Sequence, residues 1–154
     1  MKKYILILTV ILAGFSSCKK DSFDANKQAA TDEAAIQAYL TANPNIKATK
    51  DANGVYYQVI TEGTGSNPTS TSTVRVNYVG TLLNGSQFDA GTGFTSSLSS
   101  VVKGWQYGLP HVKAGGRILL IIPSALGYGN TSPGAGIPKN SVLVFTIDLL
   151  GFTN

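Results

Sequence analysis

Side chains able to carry covalent or acid-base chemistry are scarce in this sequence. Among 154 residues there is one cysteine, Cys18, and one histidine, His111. One of each cannot make the roughly four-ligand set of a zinc site, and a single thiol leaves no internal disulfide. No Ser-centred nucleophile motif accompanies His111, which reads as a solvated residue after Pro110. Gly127-Tyr128-Gly129 is no phosphate cradle, because no Lys-Ser/Thr follows and no helix is expected to start there. What remains is a set of aromatic residues, Tyr78, Phe88, Phe94, Trp105, Tyr128 and Phe145, with one carboxylate, Asp89, beside Phe88. Such side chains bind apolar groups and exclude water. At strand or short-helix spacing they also read as ordinary core, and Asp89 as a turn cap. The sequence implies no cofactor and no metal ion.

The elements that would position these residues follow from periodicity. Residues 28–42 combine strong helix formers with Ile36 and Leu40 at i, i+4 spacing and stop at Asn43-Pro44, which predicts a short amphipathic helix. Thr31-Asp32-Glu33 would supply its cap and first-turn negative charge. Beyond the Asp51-Ala52-Asn53-Gly54 turn the period becomes two, and Val55–Ile60 reads as a strand. Residues 63–73 read as a Gly/Ser/Thr loop. Val74, Val76, Tyr78 and Gly80 fall on one face of the next strand, which the Asn84-Gly85 turn connects to Gln87-Phe88-Asp89. Residues 101–109 are a helix candidate with Val101, Trp105 and Leu109 on one side, while Ser99 and Ser100 before it read as loop hydroxyls. Residues 117–122 form an apolar strand closed by Pro123, and residues 141–150 alternate again. The fold class is α+β: an antiparallel sheet curled over one short helix, with an N-terminal helical extension.

Composition bounds the function. Charged residues make up 13% of the chain, about half the usual share, and the net charge of +4 is spread with no basic run longer than two. Only two of the twelve cations are arginines, so no nucleic-acid footprint is present. Part of the basicity belongs to the N-terminus. Met1-Lys2-Lys3 is followed by an apolar stretch over residues 4–15 and then Ser16-Ser17-Cys18. That is a signal peptide in layout, and it is too short for a spanning helix, which needs about 20 residues. The lone cysteine at the cleavage position resembles the lipobox of bacterial lipoproteins, so residues 1–17 would be the signal peptide and Cys18 the lipidated residue. The alternative is a secreted protein cut by ordinary signal peptidase. Residues 18–27 read as a flexible tether, in which Lys19-Lys20-Asp21 resembles charged export signals of Bacteroidetes surface lipoproteins. Residues 28–54 would then hold the helix and a connector, and 55–154 the main domain.

The order of motifs in that domain is distinctive: Val76-Asn77-Tyr78-Val79-Gly80, Phe88-Asp89, Val101-Val102-Lys103-Gly104-Trp105, Ile122-Pro123 to Gly127-Tyr128-Gly129, Gly136-Ile137-Pro138 and Leu143-Val144-Phe145. In order and spacing it resembles the FKBP-type peptidyl-prolyl cis-trans isomerases over about residues 55–152. The resemblance implies a pocket with Trp105 as floor, Tyr78, Phe88 and Phe145 as walls, and Val101 and Val102 as rim. It sets Ile137 and Tyr128 on the loop side, Asp89 at the edge, and Phe94 beside the substrate. An arginine often found between Asp89 and Val101 in the family is missing here, so the resemblance names no partner for Asp89.

What the resemblance implies about function is a membrane-tethered isomerase of X-Pro bonds that assists folding of exported proteins. Its partners would be proline-containing polypeptides, the membrane through lipid on Cys18, and macrolides of the rapamycin type; its location would be the cell envelope, at the outer membrane. A peptide-binding or chaperone module with weak or no isomerase activity is the competing expectation.

Overall fold

The computed structural model describes residues 23–154. The signal segment, Cys18 and the first part of the tether lie outside the described residues.

Helix α1 (Ala25–Ala42) starts three residues before the expected position, because Asp24 caps it: the Asp24 carboxylate accepts from the Asn26 and Lys27 amides at 3.0 and 3.1 Å. Asp32, expected near the helix start, therefore lies mid-helix and is buried together with Ile36. Strand β1 (Thr49–Lys50) turns through residues 51–54 into β2 (Tyr56–Thr61). The β3 strand (Thr73–Leu82) and β4 (Gln87–Ser97) form the expected hairpin, but β4 runs eight residues beyond Asp89. A 3-10 turn at Leu98–Ser100 leads to helix α2 (Lys103–Gly108), shorter than the expected 101–109 because a second 3-10 turn takes over at Leu109–His111. Strand β5 (Arg117–Ile122), a third such turn at Ser124–Leu126 and β6 (Leu143–Thr153) complete the chain.

All strand pairs are antiparallel, in the order β1-β2-β5-β6-β3-β4. The apolar run in β5 has a plain cause: both faces of the sheet are covered there. Ile118, Leu120 and Ile122 point with Leu143, Phe145, Ile147 and Leu149 of β6 toward α2, forming the main core. Leu119 and Ile121 point the other way with Val142 and Val144, against Ile36, Tyr39 and Leu40 of α1. Helix α2 lies close on the sheet because Gly104 has no side chain; a Cβ there would stand 2.4 Å from Ile122 Cγ2.

Helix α1 is held on its face by polar bonds as well. Glu33 takes hydrogen bonds from the Lys50 ammonium and the Tyr56 hydroxyl, and these donors hold its carboxyl down at about 2. The Asp32 carboxylate accepts from Gln28 and from Ser124. No helix among the described residues is long and apolar enough to cross a membrane.

Candidate functional site

On the α2 side of the sheet, a cavity of about 240 Å³ is lined by Tyr78, Asp89, Phe94, Ser100, Val101, Val102, Trp105, Tyr128 and Phe145. Trp105 enters it from α2, only 4% exposed, and is framed edge-on by three rings. Its centroid is 5.1 Å from Tyr78, 5.3 Å from Phe145 and 6.5 Å from Phe94. Edge-to-face pairs of this kind contribute roughly 0.5–1.5 kcal/mol each beyond the area they bury, so the cluster is stiff as well as apolar. The Trp105 indole N–H has no acceptor among the described residues.

Strand parity puts Tyr78 and Phe145 on the same face; a bulge adds Phe94. Tyr78 pairs with Gly91 and Val76 with Phe94, so β4 carries two residues, Thr92 and Gly93, opposite Asn77. Without that extra residue Phe94 would fall opposite Arg75 and point away from the pocket. The bulge is pinned where Asn77 Oδ1 accepts from the Gly93 amide at 2.8 Å, with Gly93 at φ 64. A second local requirement sits at Gly80, over which the Phe88 and Phe145 rings lie: a Cβ there would be 2.7 Å from Phe88 and 2.8 Å from Phe145. The rim is fixed by the Gln106 side chain, whose Nε2 donates to the Val101 carbonyl at 2.8 Å.

At the edge, the Tyr78 hydroxyl donates to Asp89 Oδ2 at 2.8 Å, and the Ala90 amide donates to the other oxygen. Tyr78 is thus the partner that the sequence left open. Burial first, and this bond to a carboxylate second, push the Tyr78 hydroxyl up to about 12. Tyr128 is also raised, by burial and then by the charge of Asp89. Its hydroxyl, unlike that of Tyr78, has no hydrogen-bond partner among the described residues, so Tyr128 brings a free donor to the cavity lining.

Two expected site residues stand off the cavity wall. Phe88 lies behind Phe145, their rings 5.5 Å apart and perpendicular. Ile137 packs into the main core, and its amide already donates to the Gly134 carbonyl at 3.2 Å. Ser100 lines the rim, and no sequence signal separated it from its neighbours. His111 is only partly solvated: its ring stacks on Tyr57 at 3.8 Å and lies 3.5 Å from Asp51, and it does not line the cavity. A larger groove of about 560 Å³ crosses the opposite face of β3 and β6. There the charged side chains of Arg117 and Asp148 are paired with each other and offer no free group.

Comparison with known proteins identifies the family and the fold. Residues 64–150 match the family model of FKBP-type peptidyl-prolyl cis-trans isomerases. The chain is 40% identical over 146 residues to the FKBP-type peptidyl-prolyl cis-trans isomerase FkpA of Escherichia coli, covering 90% of this chain and 54% of that protein. The crystal structure of FkpA superposes with a TM-score of 0.70 at 39% identity, over 83% of this chain and 62% of the other. A peptidyl-prolyl cis-trans isomerase structure from Pseudomonas syringae gives a TM-score of 0.74 at 29% identity, over 86% and 98%. The outer membrane protein MIP of Legionella longbeachae is 37% identical over 138 residues, 85% of this chain and 58% of that protein. The chain spans about half the length of the curated relatives it matches.

Proposed function

The chain belongs to the FKBP-type peptidyl-prolyl cis-trans isomerase family, and from that premise we propose that it catalyses rotation about X-Pro bonds in the cavity above Trp105. The observation that carries this reading is the aromatic enclosure of Trp105 by Tyr78, Phe94 and Phe145, open to one unengaged hydroxyl, that of Tyr128. Its volume of about 240 Å³ is enough for a proline ring and the amide before it.

The chemistry needs no nucleophile and no net proton transfer. Amide resonance sets a barrier of about 18–20 kcal/mol to rotation. The planar amide is more dipolar than the twisted one, so the aromatic floor and walls, once substrate displaces water from them, disfavour the ground state relative to the transition state. The proline ring rests on Trp105. The twisted carbonyl, freed from conjugation, receives a hydrogen bond from Tyr128. The Ile137 amide is a poorer donor in this scheme, being engaged with Gly134. Asp89 shapes the field at the edge and holds Tyr78 in place; it moves no proton.

In the cell the enzyme acts on proline-containing segments of exported polypeptides, from the envelope and tethered by lipid on Cys18. The signal-like N-terminus and its placement of cysteine support this location, as does the relative named an outer membrane protein. Macrolides of the rapamycin type are candidate ligands of the same cavity.

Exchange NMR on a short proline peptide tests the activity directly. The uncatalysed reaction takes tens of seconds; micromolar protein is expected to bring it to below a second. Peptide binding without acceleration would leave a chaperone module in place of an enzyme. For the anchor, wild-type precursor is expected in the detergent phase and Cys18→Ala in the aqueous one; equal partition of both would exclude lipidation.

A further inference from the structure

We propose that Asp32 and Ser124 form a buried clamp through which helix α1 positions the Tyr128 loop. Asp32 is 2% exposed and Ser124 1%. Asp32 Oδ2 accepts both the Ser124 amide, at 2.8 Å, and the Ser124 hydroxyl, at 2.7 Å; Oδ1 accepts from Gln28 at 2.7 Å. No cation is paired with this carboxylate among the described residues. A buried carboxylate held by neutral donors is costly to keep unless those donors need it.

Docking of α1 on the sheet does not require it. Ile36 among Tyr56, Ile121, Val142 and Val144, together with Glu33 on Tyr56, already fixes the helix against β2, β5 and β6. Asp32 reaches past the sheet to the turn that follows Pro123. The first amide of that turn has no side-chain cap from its own flank, and Asp32 supplies the acceptor from 92 residues away. The Ser124 carbonyl in turn accepts the amides of Gly127, at 3.0 Å, and Gly129, at 2.8 Å. Those are the two neighbours of Tyr128, so fixing Ser124 fixes both ends of the residue whose hydroxyl faces the cavity. Asp32 and Ser124 are positioning residues, and their effect on rate rests on the role of Tyr128 given above.

Kinetics and amide exchange on the full chain test this together. In Asp32→Ala, kcat is expected to fall about fivefold with KM changed less than twofold. The Gly127 and Gly129 amides should exchange at least tenfold faster while those of Ile118 and Leu120 hold. Asp32→Asn should restore both readouts to within twofold, because one carboxamide oxygen can accept both Ser124 donors while Gln28 turns its own oxygen toward the new amide. Should Asp32→Ala fail to fold, Ser124→Ala, which removes only the hydroxyl, should give the same pattern at about half the size. Wild-type kcat with wild-type exchange at Gly129 in Asp32→Ala would overturn the clamp, as would uniformly faster exchange across the sheet. Unchanged kcat in Tyr128→Phe would instead remove Tyr128 from the reaction, and exchange at Gly129 would still decide the clamp.

Discussion

Replacing Gly80 by alanine isolates the stiffness of the aromatic walls from every polar contact. Gly80 sits in β3 opposite Phe145 of β6 and Asp89 of β4, and its φ is not positive, so the backbone accepts alanine without strain. By propensity alone the change should stabilise the strand by about 0.5–1 kcal/mol. Against this, the new methyl lies 2.7 Å from Phe88 Cζ and 2.8 Å from Phe145 Cε1. Neither ring can yield freely, since Phe145 is wedged edge-on against Trp105 at 5.3 Å and Phe88 against Phe145 at 5.5 Å. Overpacking of this kind costs about 1–3 kcal/mol, which leaves a net loss of up to about 2.5 kcal/mol and a fall in Tm of up to about 10 °C. Gly151 in the same sheet is the control, having no atom within 4 Å of its would-be Cβ; Gly151→Ala should be neutral or stabilising by up to about 0.5 kcal/mol. Phe145 forced toward the cavity should lower kcat/KM about tenfold in Gly80→Ala, equivalent to about 1.4 kcal/mol. Urea unfolding and exchange NMR on one proline peptide give both numbers. If Gly80→Ala matches Gly151→Ala in stability and in rate, the walls are soft and the reasoning from close packing fails.

Because its folded-state pKa is raised to about 12, the Tyr78 hydroxyl keeps its proton well above the ordinary value of 10.0. The kcat/KM should therefore stay flat from pH 7 to 10, measured without a coupling protease; a decline centred near 10 that persists in Tyr128→Phe would contradict the Tyr78–Asp89 bond. Glu33 runs in the opposite sense: its folded pKa of about 2 lies below the ordinary 4.5, so its contribution is complete above that value and lost as pH falls toward 2. Glu33→Gln should lower the Tm at pH 7 and converge with wild type only as the pH reaches about 2, by calorimetry; a constant gap would remove the Lys50–Glu33–Tyr56 network as its cause. Phe94 is 40% exposed, so Phe94→Ala should cost under about 2 kcal/mol in urea unfolding, from two lost edge contacts, yet raise KM several-fold. An unchanged KM would put substrate elsewhere.

Strands β3 and β6 were legible because burial of one face against α2 imposes a period of two, and β5 because cover on both faces makes it an apolar run closed by Pro123. The aromatic set was legible for the same reason, and order of motifs turned it from core into a candidate pocket. The far half of β4 was not legible: beyond Asp89 no alternation points to a strand, because the bulge at Thr92 and Gly93 breaks it. Phe94 therefore reached the cavity by a register change that spacing alone cannot express. Asp32 was misread as a first-turn acid since its true partner, Ser124, is distant in sequence, and local rules assign such a residue to the nearest cap. Phe88 and Ile137 show the converse. Sharing a motif with wall residues did not decide whether each faces the cavity or the core behind it, which depends on the packing of Phe145 and on the Gly134 carbonyl.

The strand order carries a consequence for how the pocket comes into being. β6 lies between β5 and β3, so the three-stranded group β1-β2-β5 and the β3-β4 hairpin are joined only through it. Until β6 inserts, Phe145 is absent and the two groups have no shared ladder. Partial folding thus yields no partial enzyme: the cavity is assembled in one cooperative closure that spans long stretches of chain, the kind of event that topology makes slow. A chain delivered from its N-terminus onward would remain without a working site until β6 was delivered, and would then acquire floor, walls and loop together.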